Sequence, residues 1–531
     1  MVEKITGHIR FHSLLFFLIG AAVFCPATDA VCGILGSKVL KLFSSPAKDY
    51  DVTRASKELP IVRTPVESLS INEISGIREL FETRQFKKLN TALAAYQKAF
   101  DADSANEYRV HDSYRAFDVT LPAYESLLEK WVQEFPDVHY PYIAAAQYYY
   151  ALAWKKRGAQ YINKTPEENI RGMRFDFLKA MDHLKAASDI RSDLIMVHYL
   201  LLGIYNASGD DENEDLAIRE ALAVFPDSFI INARAAFAKQ PRWGGSYRQM
   251  EEIAKNAESW TQKTPKLFVI YGFIYSDQGW YARQEKKYDK AVRFFEKALS
   301  YGDYWGFYYE LAKVYHYGLK DFNRALDYID KSIELRSTFK DTHRMRSRIL
   351  FAQKRYSGSI RSLATAELLN PTDRSTEKWR QWAAGNLLSR GHKVFKTDLG
   401  AAVGFYDLSI EFNDDNYESY YWKGVALSRL NRNESALLNF KRAVRINPRH
   451  FESFQMIDYI YARDRKWDRI IGYWNRFLAL EPGHAQAFFE RSGTHYHNRD
   501  FKHALEDLKR SCELGYQKAC KKYKQMKGVL Y

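Results

Sequence analysis

The sequence predicts an all-α protein, an α-solenoid of antiparallel helix pairs, and three observations lead to it. Glycine (27) and proline (14) are sparse among 531 residues, as long helices joined by short turns require. Apolar residues make up 46% of the chain, too many for wholesale disorder, while its length exceeds what one compact core fills. Pro448 and Pro482 stand 34 residues apart, each closing a segment whose apolar residues recur at steps of three and four. A repeated helix pair accounts for all three.

The first thirty residues read as an export address. Lys4 and Arg10 precede an apolar run from Leu14 to Phe24, followed by Pro26 and Thr28-Asp29-Ala30. That layout is a secretory signal peptide, and the run is too short to span a bilayer unaided. Cleavage after Ala30 is expected, placing the protein in a periplasm or outside the cell; the alternative is an uncleaved anchor in the inner membrane. Phe24 precedes Cys25 and Val31 precedes Cys32, so neither cysteine has the small neighbour that lipidation needs. Residues 31–67 form a linker. From Ser44 to Ser68 it carries Ser45, Pro46, Pro60 and Pro65 and no sustained helical period, as a tether would.

Residues 68–263 are helical but irregular. Candidate helices are Ile71–Glu82, Phe86–Asp101, Leu121–Glu134, His139–Arg157, Met173–Ser188, Leu194–Ala207, Glu214–Phe225 and Ser246–Trp260. Between the last two lies "KQPRWGGSY" (239–247), where Pro241, Gly244 and Gly245 break any helix. Residues 264–531 carry the repeats and a last helix that caps them. In the unit closed by Pro448, Gly424 takes a small position on the first helix, and Ala436, Phe440 and Ala443 line one side of the second. Phe454, Tyr461, Trp467, Ile470, Trp474 and Phe477 fill the next unit, and Phe488, Phe501, Ala504 and Leu508 a third. Upstream, Tyr356, Leu363, Ala366 and Pro371 mark one unit, and Leu311, Tyr315, Phe322, Ala325 and Ile329 another with one extra loop residue near Lys320. Tyr271, Gly272, Tyr275, Tyr288, Ala291, Phe295 and Ala298 mark a further one, whose seven extra residues predict two lengthened helices. A degenerate unit covers 383–416.

On these residues, 264–516 resemble tetratricopeptide repeats. Arg390 and Asp458 depart from the pattern, standing where a small residue is usual. The 239–247 loop and the helix pairs before it resemble a bacterial family, domain of unknown function 4034. That resemblance implies a bacterial source and brings no activity with it.

The chain has four cysteines. Cys512 and Cys520 can close a disulfide in an oxidising compartment. The segment "CELGYQKAC" around them also resembles the cysteine pairs that staple two helices in Sel1-like repeats. No histidine or further cysteine at a suitable spacing joins the pair to a metal.

Chemistry is sparse elsewhere. No Gly-rich phosphate loop, serine elbow or paired-histidine zinc helix is present, and no cofactor is implied. The acidic run "GDDENED" (209–215) imitates a calcium loop, but Leu216 stands where the turn glycine belongs, so a solvated loop is expected. His495 and His497 with Asp500 approach a metal-ligand set at a helix end, and a surface reading is preferred. His111-Asp112 is expected at the surface, and Trp243 as a packing anchor.

Lys and Arg outnumber Asp and Glu by 79 to 65, a net +14. The excess is spread thinly, so a solvated basic surface is expected rather than a nucleic-acid site. Its one concentration is Lys518, Lys521, Lys522, Lys524 and Lys527.

What remains is a binding face. In tetratricopeptide repeats the exposed side of each first helix lines a concave channel. By position it carries Tyr309, Lys313, His316, Arg344, Arg348, Phe351, Tyr421, Arg429, Tyr459, Arg463, Tyr496 and His497. Aromatics with arginine suit a peptide or acidic segment. The Lys and Asn clamp that some such repeats close on a terminal carboxylate is missing, with Tyr421 and Val425 at its start. The expectation is a non-catalytic scaffold holding a protein partner. Binding of an anionic polymer and an enzyme hidden in the amino-terminal half are the alternatives.

Overall fold

The computed structural model describes residues 49–52, 68–158 and 164–530. The signal-like segment, its cleavage point, Cys25 and Cys32 lie outside them. All regular structure among the described residues is helical. The helices run α1 (Ile71–Glu82), α2 (Phe86–Ala102), α3 (Glu107–Tyr114), α4 (Pro122–Glu134), α5 (His139–Arg157), α6 (Glu167–Ile190), α7 (Ile195–Ser208) and α8 (Asp211–Val224). Next come α9 (Phe229–Ala238), α10 (Tyr247–Glu258), α11 (Ile270–Gln284), α12 (Tyr288–Leu299), α13 (Trp305–Lys313), α14 (Phe322–Leu335), α15 (Lys340–Ala352) and α16 (Tyr356–Leu369). The last are α17 (Arg374–Val394), α18 (Leu399–Phe412), α19 (Tyr417–Arg429), α20 (Asn433–Ile446), α21 (Phe451–Arg463), α22 (Trp467–Leu480), α23 (Ala485–His497), α24 (Phe501–Glu513) and α25 (Gln517–Leu530). The chain divides into two compact units, one holding Ile77–Glu310 and the described part of Met1–Leu69, the other Ser70–Gly76 and Leu311–Tyr531.

In the first unit Phe81 gathers the rings of Phe86, Phe117, Tyr124 and Trp131 within 6.3 Å. The acidic run 209–215 is not a loop. Gly209 closes α7 in the left-handed region (φ 69°), Asp210 caps α8, and Asp211, Glu212 and Glu214 fill its first turn, where carboxylates complement the helix dipole. His111-Asp112 is not at the surface either: the two are 7% and 0% exposed, with Nδ1 3.0 Å from Oδ1. The 239–247 loop turns as its glycines demand. Gly244 has φ 97°, and a Cβ on Gly245 would lie 2.3 Å from the Lys239 carbonyl oxygen. Trp243 packs its ring on Phe237, at 6.1 Å.

The repeat register shows in the backbone. Lys286, Lys320 and Lys354, then Asn431, Arg465 and Arg499, each adopt positive φ between the two helices of a pair. Within each trio they are 34 residues apart. From Lys354 to Asn431 the step is 77, two periods plus nine. The surplus lies in α17, which has 21 residues where α15, α19, α21 and α23 have 13, and in one added turn residue.

Small positions face large ones across each pair. A Cβ on Gly424 would come within 2.6 Å of the Phe440 ring, and one on Gly391 within 2.4 Å of Tyr406. Gly391, not Arg390, therefore takes the small position of the 383–416 unit; Arg390 turns out and donates to the Tyr356 hydroxyl at 2.6 Å. Gly279, not Gly272, faces Phe295, at 2.9 Å. With that register α11 and α12 need no lengthening and have 15 and 12 residues. The extra residue before Lys320 sits in a π-helical turn, Val314–Leu319, rather than in the loop. Each large ring so covered, such as Trp474 at 1% exposure, contributes roughly 1.5–3 kcal/mol.

Candidate functional site

The residues expected on one binding face separate into two groups. Tyr309 and Lys313 of α13 are half-buried. His316 packs between Tyr317 and Phe322 in the π-helical turn, and burial, aided by Lys320 and Arg348, lowers its pKa to about 4. It is neutral at physiological pH. Arg344 is tied down by Asp341 at 2.5 Å and Asp373 at 2.7 Å. Arg348 donates to the Tyr317 hydroxyl at 2.6 Å and lies 5.0 Å over the Trp379 ring. Phe351 is core, 5% exposed among Tyr356, Trp379 and Phe412. These upstream arginines hold the stack together.

The C-terminal group faces outward. Tyr459 is 55% and Tyr496 53% exposed, and Arg429 and Arg463 are exposed with them. Arg429 and Arg463 occupy the same repeat position 34 residues apart, and Tyr459 lies one turn before Arg463 on α21. Arg429 also covers the Phe395 ring at 4.7 Å. Tyr421 is only half open, its ring 5.4 Å from Trp422, 5.9 Å from Phe440 and 4.9 Å from His450. His497 stacks on Trp467 at 5.3 Å. A row of aromatic and guanidinium groups therefore runs along successive first helices.

Sequence reasoning missed Trp382. It is 54% exposed, stacked on Trp379 at 4.9 Å and in contact with Phe351 at 5.6 Å. The signal was present: Trp379 and Trp382 are three apart in "KWRQW", at the break in the 34-residue register.

His503, rather than His497, joins His495 and Asp500. Asp500 Oδ2 lies 3.2 Å from His495 Nδ1 and 2.7 Å from His503 Nδ1, and the donor atoms fall within 4.8 Å of one another. That spacing would let one metal ion share all three. Asp500 already has a structural task, capping α24 through the His503 N–H. Cys512 and Cys520 are bonded to each other, joining α24 to α25.

Residues 270–301, 306–339 and 417–450 match the tetratricopeptide repeat profile. The C-terminal half therefore carries tetratricopeptide repeats. Ahead of the repeats, residues 73–209 match a domain of unknown function, DUF4034. That match spans α1 to α7, so the 239–247 loop lies beyond it. No curated protein sequence matches the chain. Among solved structures it is similar to yeast Tom70, 12% identical, covering 87% of this chain and 96% of that one at a TM-score of 0.26. YrrB, described as a tetratricopeptide protein with an unusual peptide-binding site, is 18% identical over 43% of this chain and 97% of its own, at a TM-score of 0.21. The tetratricopeptide domain of P58(IPK) is 12% identical over 66% and 94%, at 0.22.

Proposed function

We propose that this protein is a non-catalytic scaffold of the bacterial envelope, holding a protein partner on the concave face lined by the exposed side of its C-terminal first helices. The observation that carries the reading is the exposed row of Arg429, Tyr459, Arg463 and Tyr496. Large rings lose little conformational entropy on docking, and an arginine beside them adds a directional donor, so such rows become the energetic centre of an interface. The proposed face leaves out Arg344 and Arg348, whose guanidinium groups are engaged by Asp373 and Tyr317. Export rests on the basic-then-apolar opening of the sequence. A Cys512–Cys520 bond is what an oxidising compartment permits.

A photo-crosslinking side chain placed at Tyr459 in cells tests the face. It is expected to trap one protein partner, and the same side chain at Leu438, 68% exposed on the second helix α20, to trap none. Changing Arg429 and Arg463 to Glu is expected to abolish the Tyr459 adduct while leaving the thermal transition in place. Equal adducts from both positions, or an adduct that survives the charge reversal, would sink the assignment.

A further inference from the structure

In the first unit a short segment of the chain is held on three helices by side-chain contacts. Residues Asp49 to Val52 lie against α10, α11 and α12, where their three polar side chains, the Tyr50 and Val52 N–H groups and the Tyr50 carbonyl are met. The Gln278 carboxamide accepts from the Tyr50 N–H at 2.8 Å and donates to the Tyr50 carbonyl at 2.8 Å. One side chain so pairs both backbone groups of one residue, as a neighbouring β-strand would, and only an extended residue points both groups the same way. The Tyr275 hydroxyl accepts from the Val52 N–H at 3.1 Å and donates to the Asp51 carboxylate. The Tyr50 side chain lies along α10, its ring 5.6 Å from that of Tyr247 and its hydroxyl donating to Glu251 at 2.5 Å. Lys290 lies 2.8 Å from Asp49.

The receptor side is built rather than incidental. Gln278, Glu251, Tyr247 and Tyr275 are each 5% exposed or less with the segment docked. Both polar atoms of Gln278 pair with the Tyr50 backbone. A buried carboxamide directed at a peptide unit costs free energy when that unit leaves, unless something of the same shape replaces it. The contacts also define a chemistry. Backbone pairing asks for an extended strand, Glu251 for a hydroxyl at the tip of an aromatic ring, and Tyr275 and Lys290 for acids on either side.

We infer that Tyr247, Glu251, Tyr275, Gln278 and Lys290 form a recognition site for an extended acidic-tyrosine-acidic peptide, and that Asp49–Val52 is its ligand in cis. Docking fastens the amino-terminal linker to the first unit. The site is separate from the face carrying Tyr459, so either assignment can fail without the other. Because the linker keeps its own segment at high effective concentration, the wild-type site resists a free peptide of the same sequence.

The test uses the full chain and a fluorescent peptide of residues 46–55. Tyr50→Ala with Asp51→Ala disables the resident segment, and this variant is expected to bind the peptide at least ten-fold more tightly than wild type. Adding Gln278→Ala, with the fold checked by circular dichroism, is expected to reverse the gain at least ten-fold. No gain in the first variant, or no loss in the second, overturns the proposal. A measurement on wild type alone guards against misfolded variants: the Tyr50 and Val52 amides are expected to exchange slowly with solvent deuterium. Free exchange at both overturns it as well.

Discussion

Asp458 stands where a tetratricopeptide repeat usually carries a small residue, and its partner explains why it is tolerated. The facing residue sixteen positions on is Trp474, whose indole N–H donates to Asp458 Oδ2 at 2.7 Å. In the preceding repeat the same spacing pairs Gly424 with Phe440, a ring with nothing to donate. Burial of the carboxylate, reinforced by Glu490 and offset in part by the Trp474 hydrogen bond, raises its pKa to about 6. In the unfolded chain it titrates near 4. Between those values the folded state holds a proton that the unfolded state has released, so stability falls as pH rises from about 4 to about 6 and stays lowered above. Asp458→Asn keeps an acceptor for the indole and removes the charge. The variant is expected to be more stable than wild type by on the order of 1–3 kcal/mol at pH 7.5, with the difference vanishing near pH 4. Denaturation at the two pH values checks this, and an equal change at both would mean the charge is not responsible. The sequence shows Asp458 as an anomaly. Its remedy was legible too, but only by comparing the pair Asp458 and Trp474 with the pair Gly424 and Phe440 of the preceding repeat.

Helix pairs pack here by placing a glycine, or once an aspartate, against a large ring, and the same substitution should act oppositely at two glycines. A methyl on Gly424 would press on the Phe440 ring at 2.6 Å, whereas Gly404 in α18 has nothing within 4 Å. Gly424→Ala is expected to destabilise by about 1–3 kcal/mol through overpacking. Gly404→Ala is expected to stabilise by up to about 1 kcal/mol, because alanine loses less backbone freedom in a helix. Paired urea melts decide it; matching signs would remove the steric account. Most of the elements were legible from apolar spacing, including α1 and α4 to within a residue. Two short helices were not: α3 has eight residues and α9 ten, too few turns for a period to declare itself between flanking loops. The insertion in α17 was also hidden. Trp379, Ala383 and Leu387 continue one buried face without interruption, so the sequence offers no boundary where eight residues were added.

A stack of helix pairs buries each pair against the next, which leaves its last pair with one side uncovered. Here α25 answers that need. Its own Ala519 is fully buried, while Lys518, Lys521, Lys522, Lys524 and Lys527 are all exposed, giving the end of the stack a soluble outer side. The lysine concentration is thus the solvated outer side of the cap. A single helix has little area with which to hold on, and Cys512–Cys520 fastens it to α24. By loop-closure entropy such a short bridge contributes about 2–3 kcal/mol. That contribution exists only where thiols oxidise, so the stability of the cap and the export of the chain are one proposal. The intact mass of protein recovered from fractionated cells, with and without reductant, measures both at once. Export predicts a polypeptide starting at Val31, found outside the cytoplasm, whose mass rises by two hydrogens on reduction as the Cys512–Cys520 bond opens. A chain starting at Met1 with its thiols free would overturn export, leave α25 held by packing alone, and return the search for a partner to the cytoplasm.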